Sequence, residues 1–338
     1  MKKAVVCLLL ALLLVVLCES HVRSFLLESA SLLFRGREQS GEAAPETEFD
    51  SHVSAAPASD MLEVTLYFRF GQTGVLGAER VELDIRRDET VAKMIVQALI
   101  DGPQVSYAKL EGVFPPGTEV ISVTGEGTTA FVTLNRSFLG RPDGAPADWE
   151  DHESWRVEAA LRRSLAMQSM VLALTEDGRY QRVQLYVADS DDDVPERVPL
   201  YYFDGSVLDF SVVLGACGRD EAAMLTPGRA MNMILDAWQR RDWAALYPLV
   251  CAPEGEQMPT LSVFEAQMQR LDVSLLTYDT SEGTVSFDGQ RATIVVNAQI
   301  RSQEGGDAQI VRQSVPLVRS MDNWAISTAA LEALMIRD

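Results

Sequence analysis

The sequence has few of the residues that usually carry catalysis, metal binding or nucleic-acid binding. Its 338 residues include three histidines and four cysteines, and 49 Asp and Glu outnumber 29 Lys and Arg, for a formal net charge of −20. Phosphate contacts need clustered Lys and Arg, so this balance excludes nucleic acid as a partner and disfavours adhesion to anionic lipid. A nucleophile elbow, a phosphate-binding loop and a zinc-binding helix motif are absent from the sequence. We therefore expect no enzymatic activity, no cofactor and no metal.

The histidines and cysteines follow no catalytic or metal-binding spacing. His21 and His52 fall in the N-terminal segment, and His152 stands alone near the start of a predicted helix. A general base needs a partner within hydrogen-bond reach, so His152 is interpreted as a solvated surface residue. For Cys217 and Cys251, a disulfide bond and two separate thiols are both compatible with the sequence, because the sequence does not give the distance between their Cα atoms.

The one long apolar run lies at the N-terminus. Lys2 and Lys3 precede an apolar stretch at 4–17, which is typical of a secretory signal and shorter than the roughly 20 residues of a spanning helix. Cys18 resembles the lipidated cysteine of bacterial lipoprotein signals, although Leu17 is larger than the residue usual there. Residues 1–18 are thus predicted to be a lipoprotein signal or an uncleaved signal anchor, and both place the protein on the outer face of the cell membrane.

Residues 19–60 are predicted to be an acidic juxtamembrane tether. From residue 37 onwards the composition is rich in Glu, Ser, Ala and Pro and poor in large apolar groups, so this stretch cannot bury enough surface to fold.

The pattern from 61 to 215 predicts an α+β domain with its core at 62–190. Apolar alternation or helical spacing predicts the order ββαββαβ, which favours a two-layer sandwich with helices on one face of a mixed sheet. Val157, Leu161, Leu165 and Leu172 are predicted to share one face of the second helix. The predicted elements are strands at 62–69 and 81–86, a helix from Asp88 or Thr90 to Gly102, a hairpin at 119–124 and 129–134, a helix at about 150–175, a strand at 182–187, and one or two strands at 199–214.

A linker at 216–225 is predicted to lead into a second α+β domain at 226–338. Thr226 followed by Pro227 predicts a helix start, and Asp242 caps a shorter helix. Helices followed by β-rich segments favour a cone-like fold with a curved antiparallel sheet. The predicted elements after Asp242 are a helix at about 260–271, strands at 273–280, 284–287, 292–301 and 309–319, and a last strand holding Trp324 and Ile326.

Several groups of residues are candidates for binding sites. The run Asp189, Asp191, Asp192 and Asp193 begins like a calcium loop, but Val194 and Leu200 stand where Gly and Glu are needed, so a solvated turn is favoured. Arg162-Arg163 and Arg240-Arg241 are predicted to be exposed on helices. Trp238, Trp243 and Trp324 are predicted to lie in the core.

Two further groups of residues are candidates for a contact surface and for a pocket. Tyr201-Tyr202-Phe203 cannot all face inward on a strand, so at least one is expected at the surface or against the second domain. Asp236, Tyr247 and Tyr278 would line a pocket in the cone if one exists, although no acid–base pair is placed by spacing.

The first domain resembles the GerMN domain, also called the sporulation and spore germination domain. The resemblance rests on "VTLYF", "VAKMIVQALIDGP", "FPPGTEVISV", "AFVTLNRSF" and "SMVLALTEDGRYQRVQLYV", in that order over about residues 62–190. It implies a small non-catalytic domain of lipoproteins in Gram-positive bacteria, associated with spore formation, germination and envelope assembly. The resemblance is also compatible with assembly into a homo-oligomer or ring.

The second domain resembles the nuclear-transport-factor-2-like superfamily through "AWQRRDWAALYPLV", "RATIVVNAQI" and "VPLVRSMDNWAIS". That superfamily includes enzymes and binding domains, so the fold does not decide activity. The favoured hypothesis is a non-catalytic extracytoplasmic protein that contacts envelope or sporulation proteins, or peptidoglycan. The alternatives are a receptor for a small ligand or wall fragment in the C-terminal cone, and an enzyme with an acid–base pair there.

Overall fold

The computed structural model describes residues 61–85, 89–104, 110–253, 255–271, 273–302 and 308–335. Cys18, His21, His52 and the predicted signal and tether lie outside these residues, so their predictions stay predictions. Within the described part of the chain, no helix combines the length and apolarity needed to cross a membrane.

Helix α1 (Val91–Asp101) begins and ends as the sequence predicts. The Thr90 side chain caps its start by accepting a hydrogen bond from the Lys93 N–H at 3.2 Å. Gly102 takes a φ of 92° beyond the last turn, which glycine adopts at little cost, and Pro103 cannot continue the helical hydrogen bonding.

Helix α2 (Glu153–Leu174) confirms the second predicted helix but not all of its predicted face. Leu165 and Leu172 are buried, whereas Val157 is 64% exposed. The buried residues of α2 begin at Ala159, so Val157 lies on a turn that precedes the part of the helix packed in the core.

The first sheet is antiparallel with the order β2-β1-β3, formed by Met61–Phe70 (β1), Leu76–Asp84 (β2) and Leu110–Glu111 (β3). Alternation predicts half-buried strands, but residues 66–70 of β1 are buried on both faces. Tyr67 and Arg69 are buried although they stand at the polar positions of the alternation. Both α1 and α2 pack against β1, which explains why the strand has no solvated face in this stretch.

The second sheet contains Val120–Glu126 (β4), Thr129–Asn135 (β5), Arg182–Ala188 (β6), Glu196–Arg197 (β7) and Cys217–Gly218 (β8). Its order is β4-β5-β6-β7, with β8 also paired to β6. Strands β5 and β6 are parallel, and α2 is the crossover between them. One mixed sheet was expected, whereas the described strands of this half form two sheets. Pro115 and Pro116, between β3 and β4, lack the N–H groups that would continue a ladder.

The C-terminal half begins with helices and closes on a sheet. Thr226 caps α3 (Pro227–Arg240) and Asp242 caps α4 (Trp243–Leu246), both as predicted. These elements are followed by Val250–Cys251 (β9), Leu261–Gln269 (α5), Val273–Thr280 (β10), Thr284–Val285 (β11), Arg291–Ser302 (β12), Gln309–Ser320 (β13), Asn323–Ser327 (β14) and Thr328–Met335 (α6).

The C-terminal sheet has the order β10-β12-β13-β14-β9, with β11 paired to β12. Every second residue of β12 is buried from Ala292 to Ile300, and α3 packs against this strand and β10. Trp238, Trp243 and Trp324 are all buried, as predicted. The sequence analysis missed β9, a two-residue strand parallel to β14, and α6.

The two halves join at β2, an edge strand of the first sheet. The Asn323 side chain, from the start of β14, accepts a hydrogen bond from the Ala78 N–H and donates one to the Ala78 carbonyl, both at 2.9 Å. The Leu225 N–H donates to the Leu76 carbonyl at 2.8 Å. A Cβ atom at Gly77 would lie 2.7 Å from Asn323 Oδ1, so this close approach requires glycine. Side-chain and backbone groups of the C-terminal half thus pair with an edge that would otherwise be open.

We expect Asn323→Ala to lower the free energy of unfolding by about 2–4 kcal/mol, because it leaves the buried Ala78 N–H and carbonyl without their partner. Urea unfolding of the full chain measures this. The matched control is Asn297→Ala on the outer face of β12, which should change stability by less than about 0.5 kcal/mol. Equal effects of the two substitutions would show that Asn323 does not join the halves.

Candidate interaction surface

The segment at 199–214, called here the 199–214 loop, stands between β7 and β8 at the margin of the second sheet. It was predicted to contain one or two strands, and that prediction is wrong. The loop contains a 3₁₀ turn at Leu200–Tyr202 followed by bends, with one bridge between Pro199 and Val213. Asp204 and Asp209 accept hydrogen bonds from the N–H groups two residues on, which competes with strand pairing.

The base of the 199–214 loop is closed by backbone hydrogen bonds. The Leu200 N–H donates to the Val212 carbonyl, and the Leu214 N–H donates to the Val198 carbonyl, both at 2.8 Å. These bonds hold the two ends of the loop together.

Arg163 of α2 holds the inner side of the 199–214 loop. It was predicted to be exposed, but it is only 4% exposed. Its Nη2 atom donates to the carbonyls of Leu139 and Gly140 at 2.8 and 3.0 Å. The guanidinium lies 5.6 Å from the Trp149 ring and 5.4 Å from the Tyr202 ring, so the cation is enclosed between two aromatic faces.

The environment of Arg163 is electrostatically costly. Burial lowers the pKa of its guanidinium, and its Nε is buried without a hydrogen-bond partner among the described residues. Carbonyl oxygens and ring faces therefore offset most of the lost hydration. Removing either the carbonyl or the ring contacts would leave the buried charge less compensated and would lower the free energy of unfolding.

Neighbouring contacts strengthen the same attachment. The Ser164 hydroxyl donates to the Phe203 carbonyl at 3.3 Å, and the Phe203 ring lies 6.4 Å from the Phe138 ring in the core. The inner side of the 199–214 loop is thus fixed to α2 and to the segment that follows β5.

Three aromatic rings of the 199–214 loop lie close together and are called here the aromatic cluster: Tyr201, Tyr202 and Phe210. The Tyr201 and Phe210 centroids are 4.5 Å apart, and Tyr202 lies 5.6 Å from Tyr201 and 6.2 Å from Phe210. Phe210 is 54% exposed and Leu208, two residues before it, is 77% exposed. Tyr201 thus packs against an exposed ring, as expected from a run of three aromatics that cannot all face inward.

Acidic residues precede the aromatic cluster in the sequence and also lie between its members. Residues 189–214 include seven Asp or Glu and one Arg. Asp204 and Asp209 are exposed, and hydrogen bonds from Ser206 and Ser211 hold their pKa values below the usual range. These two groups therefore stay ionised at moderately acidic pH.

In the acidic run at 189–193, for which a solvated turn was favoured over a calcium loop, Asp189 and Asp193 take part in surface contacts. Arg136 forms ion pairs with Asp189 and Glu196, both at 2.9 Å, and the Ser190 hydroxyl donates to Asp193 at 2.8 Å. Within the described part of the chain, no three His, Cys, Asp or Glu residues are arranged to hold a metal ion. His152 is half exposed, 3.4 Å from Asp148, at the start of α2.

The structure brings together two of the three residues considered for a pocket. The Tyr278 hydroxyl donates to Asp236 at 2.6 Å, while the Tyr247 hydroxyl donates to the Pro259 carbonyl instead. Burial and the bond to Asp236 raise the pKa of Tyr278 to about 12, so this phenol is neutral near pH 7. Its role is that of a hydrogen-bond donor between β10 and α3.

Cys217 and Cys251 are both free thiols of intermediate exposure. Burial raises the pKa of each, which disfavours the reactive thiolate form.

Comparison with known proteins assigns residues 65–193 to a family. Residues 65–193 match the sequence profile of the Germane family, described as sporulation and spore germination. These residues form a GerMN domain. The prediction made from the five sequence motifs is therefore confirmed, and this family is associated with sporulation and germination rather than with a known enzymatic reaction. The resemblance of residues 226–338 to the nuclear-transport-factor-2-like superfamily stays a prediction.

Solved structures with similarity to this chain include other GerMN domains. For the tandem GerMN domains of the sporulation protein GerM from Bacillus subtilis, identity is 14% and the TM-score 0.28, covering 43% of this chain and 49% of that one. This chain thus spans about half the length of that relative. The first GerMN domain of the same protein gives 20% identity and a TM-score of 0.25, covering 38% and 84%. A candidate lipoprotein from Clostridium perfringens has 15% identity and a TM-score of 0.26. The match covers 48% of this chain and 89% of that one. No curated protein matches the chain.

The attachment of the 199–214 loop to the GerMN domain can be tested at Arg163. We expect Arg163→Met to lower the free energy of unfolding by about 1–3 kcal/mol, because the part-buried carbonyls of Leu139 and Gly140 lose their donor. Chymotrypsin, which cuts after aromatic residues, should then cleave within 199–214 faster than in the unmodified protein. Arg179→Met is the matched control, since Arg179 also lies over a ring, that of Tyr180, but is exposed. Equal cleavage of both variants would contradict the attachment.

The Tyr278 contact predicts a pH dependence. The folded protein holds the Tyr278 proton more tightly than the unfolded chain, because its pKa is raised from 10.0 to about 12. This contribution to stability is complete below pH 10 and is lost as the pH rises towards 12. Tyr278→Phe should therefore show a smaller fall in urea midpoint across that range than the unmodified protein does. An identical fall in the two proteins would show that Tyr278 does not titrate this way.

Proposed function

We propose that this is a non-catalytic extracytoplasmic protein of a Gram-positive cell, tethered to the outer face of the membrane. It works by contacts with envelope or sporulation proteins, or with peptidoglycan, in sporulation, germination or envelope assembly. The observation that carries the proposal is the aromatic cluster. Side chains as apolar as Phe210 and Leu208 are exposed on a loop that Arg163 fixes to a sporulation-family domain. Grouped exposed apolar residues of this kind mark interaction sites.

The interior of the C-terminal half supports a role without catalysis. Among its described residues, Asn323 is the one polar side chain in the buried class, and it is bonded to Ala78. Asp236 and Tyr278 lie at intermediate exposure and bond to each other. An acid–base pair inside the cone, which the enzyme hypothesis requires, has no counterpart among these buried residues.

The finer organisation belongs to the same proposal. Residues 61–215 are assigned to the GerMN-like α+β domain, 216–225 to a linker, and 226–338 to a cone-like domain. Residues 1–18, through a lipidated Cys18 or as an uncleaved anchor, hold the protein at the membrane, and 19–60 act as a tether. Homo-oligomer or ring formation is compatible with this arrangement and is not required by it.

The proposal can be tested in the producing cell with a substitution that leaves the fold intact. Leu208→Ser with Phe210→Ser removes exposed apolar groups only, so the protein should accumulate normally while sporulation or envelope assembly falls towards the level seen on deletion of 62–190. The matched control is Val285→Ser with Phe287→Ser, which removes exposed apolar groups from the C-terminal half and should behave like the unmodified protein.

Two results would contradict the proposal. Normal sporulation, germination and envelope behaviour after deletion of 62–190 would leave the protein without the proposed role. Normal behaviour of the Leu208/Phe210 double variant, alongside a defect in the deletion, would remove the aromatic cluster as the contact surface.

A further inference from the structure

We propose that the aromatic cluster binds a cationic segment of a partner protein, one that carries Lys or Arg next to apolar side chains. This inference rests on the proposed function and adds the chemistry of the partner. It depends on three features of the same surface: its exposed apolar groups, the sign of the charge around them, and the restraint of the loop that presents them.

The apolar groups supply the attraction. Leu208, Phe210 and Val212 are 77%, 54% and 42% exposed, although each would normally be covered in a domain core. Tyr201 packs at 4.5 Å against Phe210, so the cluster is a surface of contiguous rings rather than one isolated side chain. A partner that covers these rings removes apolar area from water.

The charge selects the partner. Residues 199–214 carry two carboxylates and no Lys or Arg, within a chain of net charge −20, so this surface repels polyanions and attracts cations. Asp204 and Asp209 stand between Tyr202 and Phe210 in the sequence of the same loop, and both are exposed. Nucleic acid, anionic lipid headgroups and acidic peptides are therefore disfavoured at this place, and a basic protein segment is favoured.

The rings themselves also favour a cation. The face of an aromatic ring carries negative electrostatic potential and attracts Lys and Arg side chains. The inner side of the same loop already shows this interaction, with the Arg163 guanidinium 5.4 Å from the Tyr202 ring. A partner Lys or Arg over Tyr201 or Phe210 would repeat it on the outer side.

The loop is restrained before any partner binds. Backbone bonds close its base, and Arg163 and Ser164 bond to Tyr202 and Phe203 from α2. A surface that is already ordered loses less conformational freedom on binding. The aromatic cluster is therefore suited to a short linear segment, which itself must become ordered.

The test measures binding of labelled 12-residue peptides to the full chain in non-ionic detergent by fluorescence anisotropy. The probes are an alternating Lys–Leu peptide, a Glu–Leu peptide of the same pattern, a Lys–Ser peptide without apolar groups, and a disaccharide muropeptide. We expect the Lys–Leu peptide to bind at least about tenfold more tightly than the other probes, because it alone satisfies both the apolar and the charge requirement.

Variants locate the binding. Leu208→Ser with Phe210→Ser should weaken Lys–Leu binding by about tenfold or more, and Val285→Ser with Phe287→Ser should leave it within about twofold. Asp204→Asn with Asp209→Asn should weaken binding by about threefold and reduce its salt dependence, since two attracting charges are removed.

Each alternative outcome overturns the inference without touching the proposed function. Equal or tighter binding of the Glu–Leu peptide would contradict the charge argument. Muropeptide binding at the aromatic cluster without binding of the Lys–Leu peptide would show that the cluster binds a wall fragment instead of a basic segment. Lys–Leu binding that persists in the Leu208/Phe210 variant would place the site elsewhere. The proposed function itself fails only through the sporulation and envelope results described above.

Discussion

A buried guanidinium needs its surroundings to stay in place, and Arg163 imposes that constraint on one side of the GerMN domain. Its bonds to the carbonyls after β5, together with its contacts to Trp149 and Tyr202, draw three separate segments onto α2. Because burying an uncompensated charge is costly, we expect the loss of any one of these contacts to destabilise the others. The same residue that completes the domain therefore orders the loop carrying the aromatic cluster. Core and contact surface are linked through a single side chain.

The second constraint is the junction between the halves. Asn323 supplies a donor and an acceptor to the backbone of Ala78, as a neighbouring strand would, and Gly77 leaves the space that this approach needs. The exposed Arg80–Asp322 ion pair adds little by itself. The C-terminal half thus covers the edge of β2, which would otherwise be open to pairing with another chain. On the GerMN side, the 199–214 loop carries three exposed large apolar side chains close together in the sequence, Leu208, Phe210 and Val212.

Local signals in the sequence were sufficient for much of the fold. Thr90, Thr226 and Asp242 cap helices as predicted, because a cap depends on residues within one turn. Alternation likewise located the longer strands of both halves, whereas the two-residue strands β3, β7, β8 and β9 were not predicted. What sequence reasoning missed depends on contacts between distant segments. Arg163 was predicted to be exposed because its partners Trp149 and Tyr202 lie outside α2 and far from it along the chain. The apolar residues of 199–214 suggested a strand, and the Asp-x-Ser turns at Asp204 and Asp209 were the available signal against it.

The central claim is that the protein acts by presenting the aromatic cluster to a basic, apolar segment of another protein. A photoreactive amino acid at position 208, compared with one at 287 in cells that depend on the protein, tests this most directly. The account predicts an adduct from position 208 that is absent from 287, with the crosslinked peptide rich in Lys or Arg and apolar residues. The same adducts from both positions, or a crosslinked segment that is acidic, would contradict it.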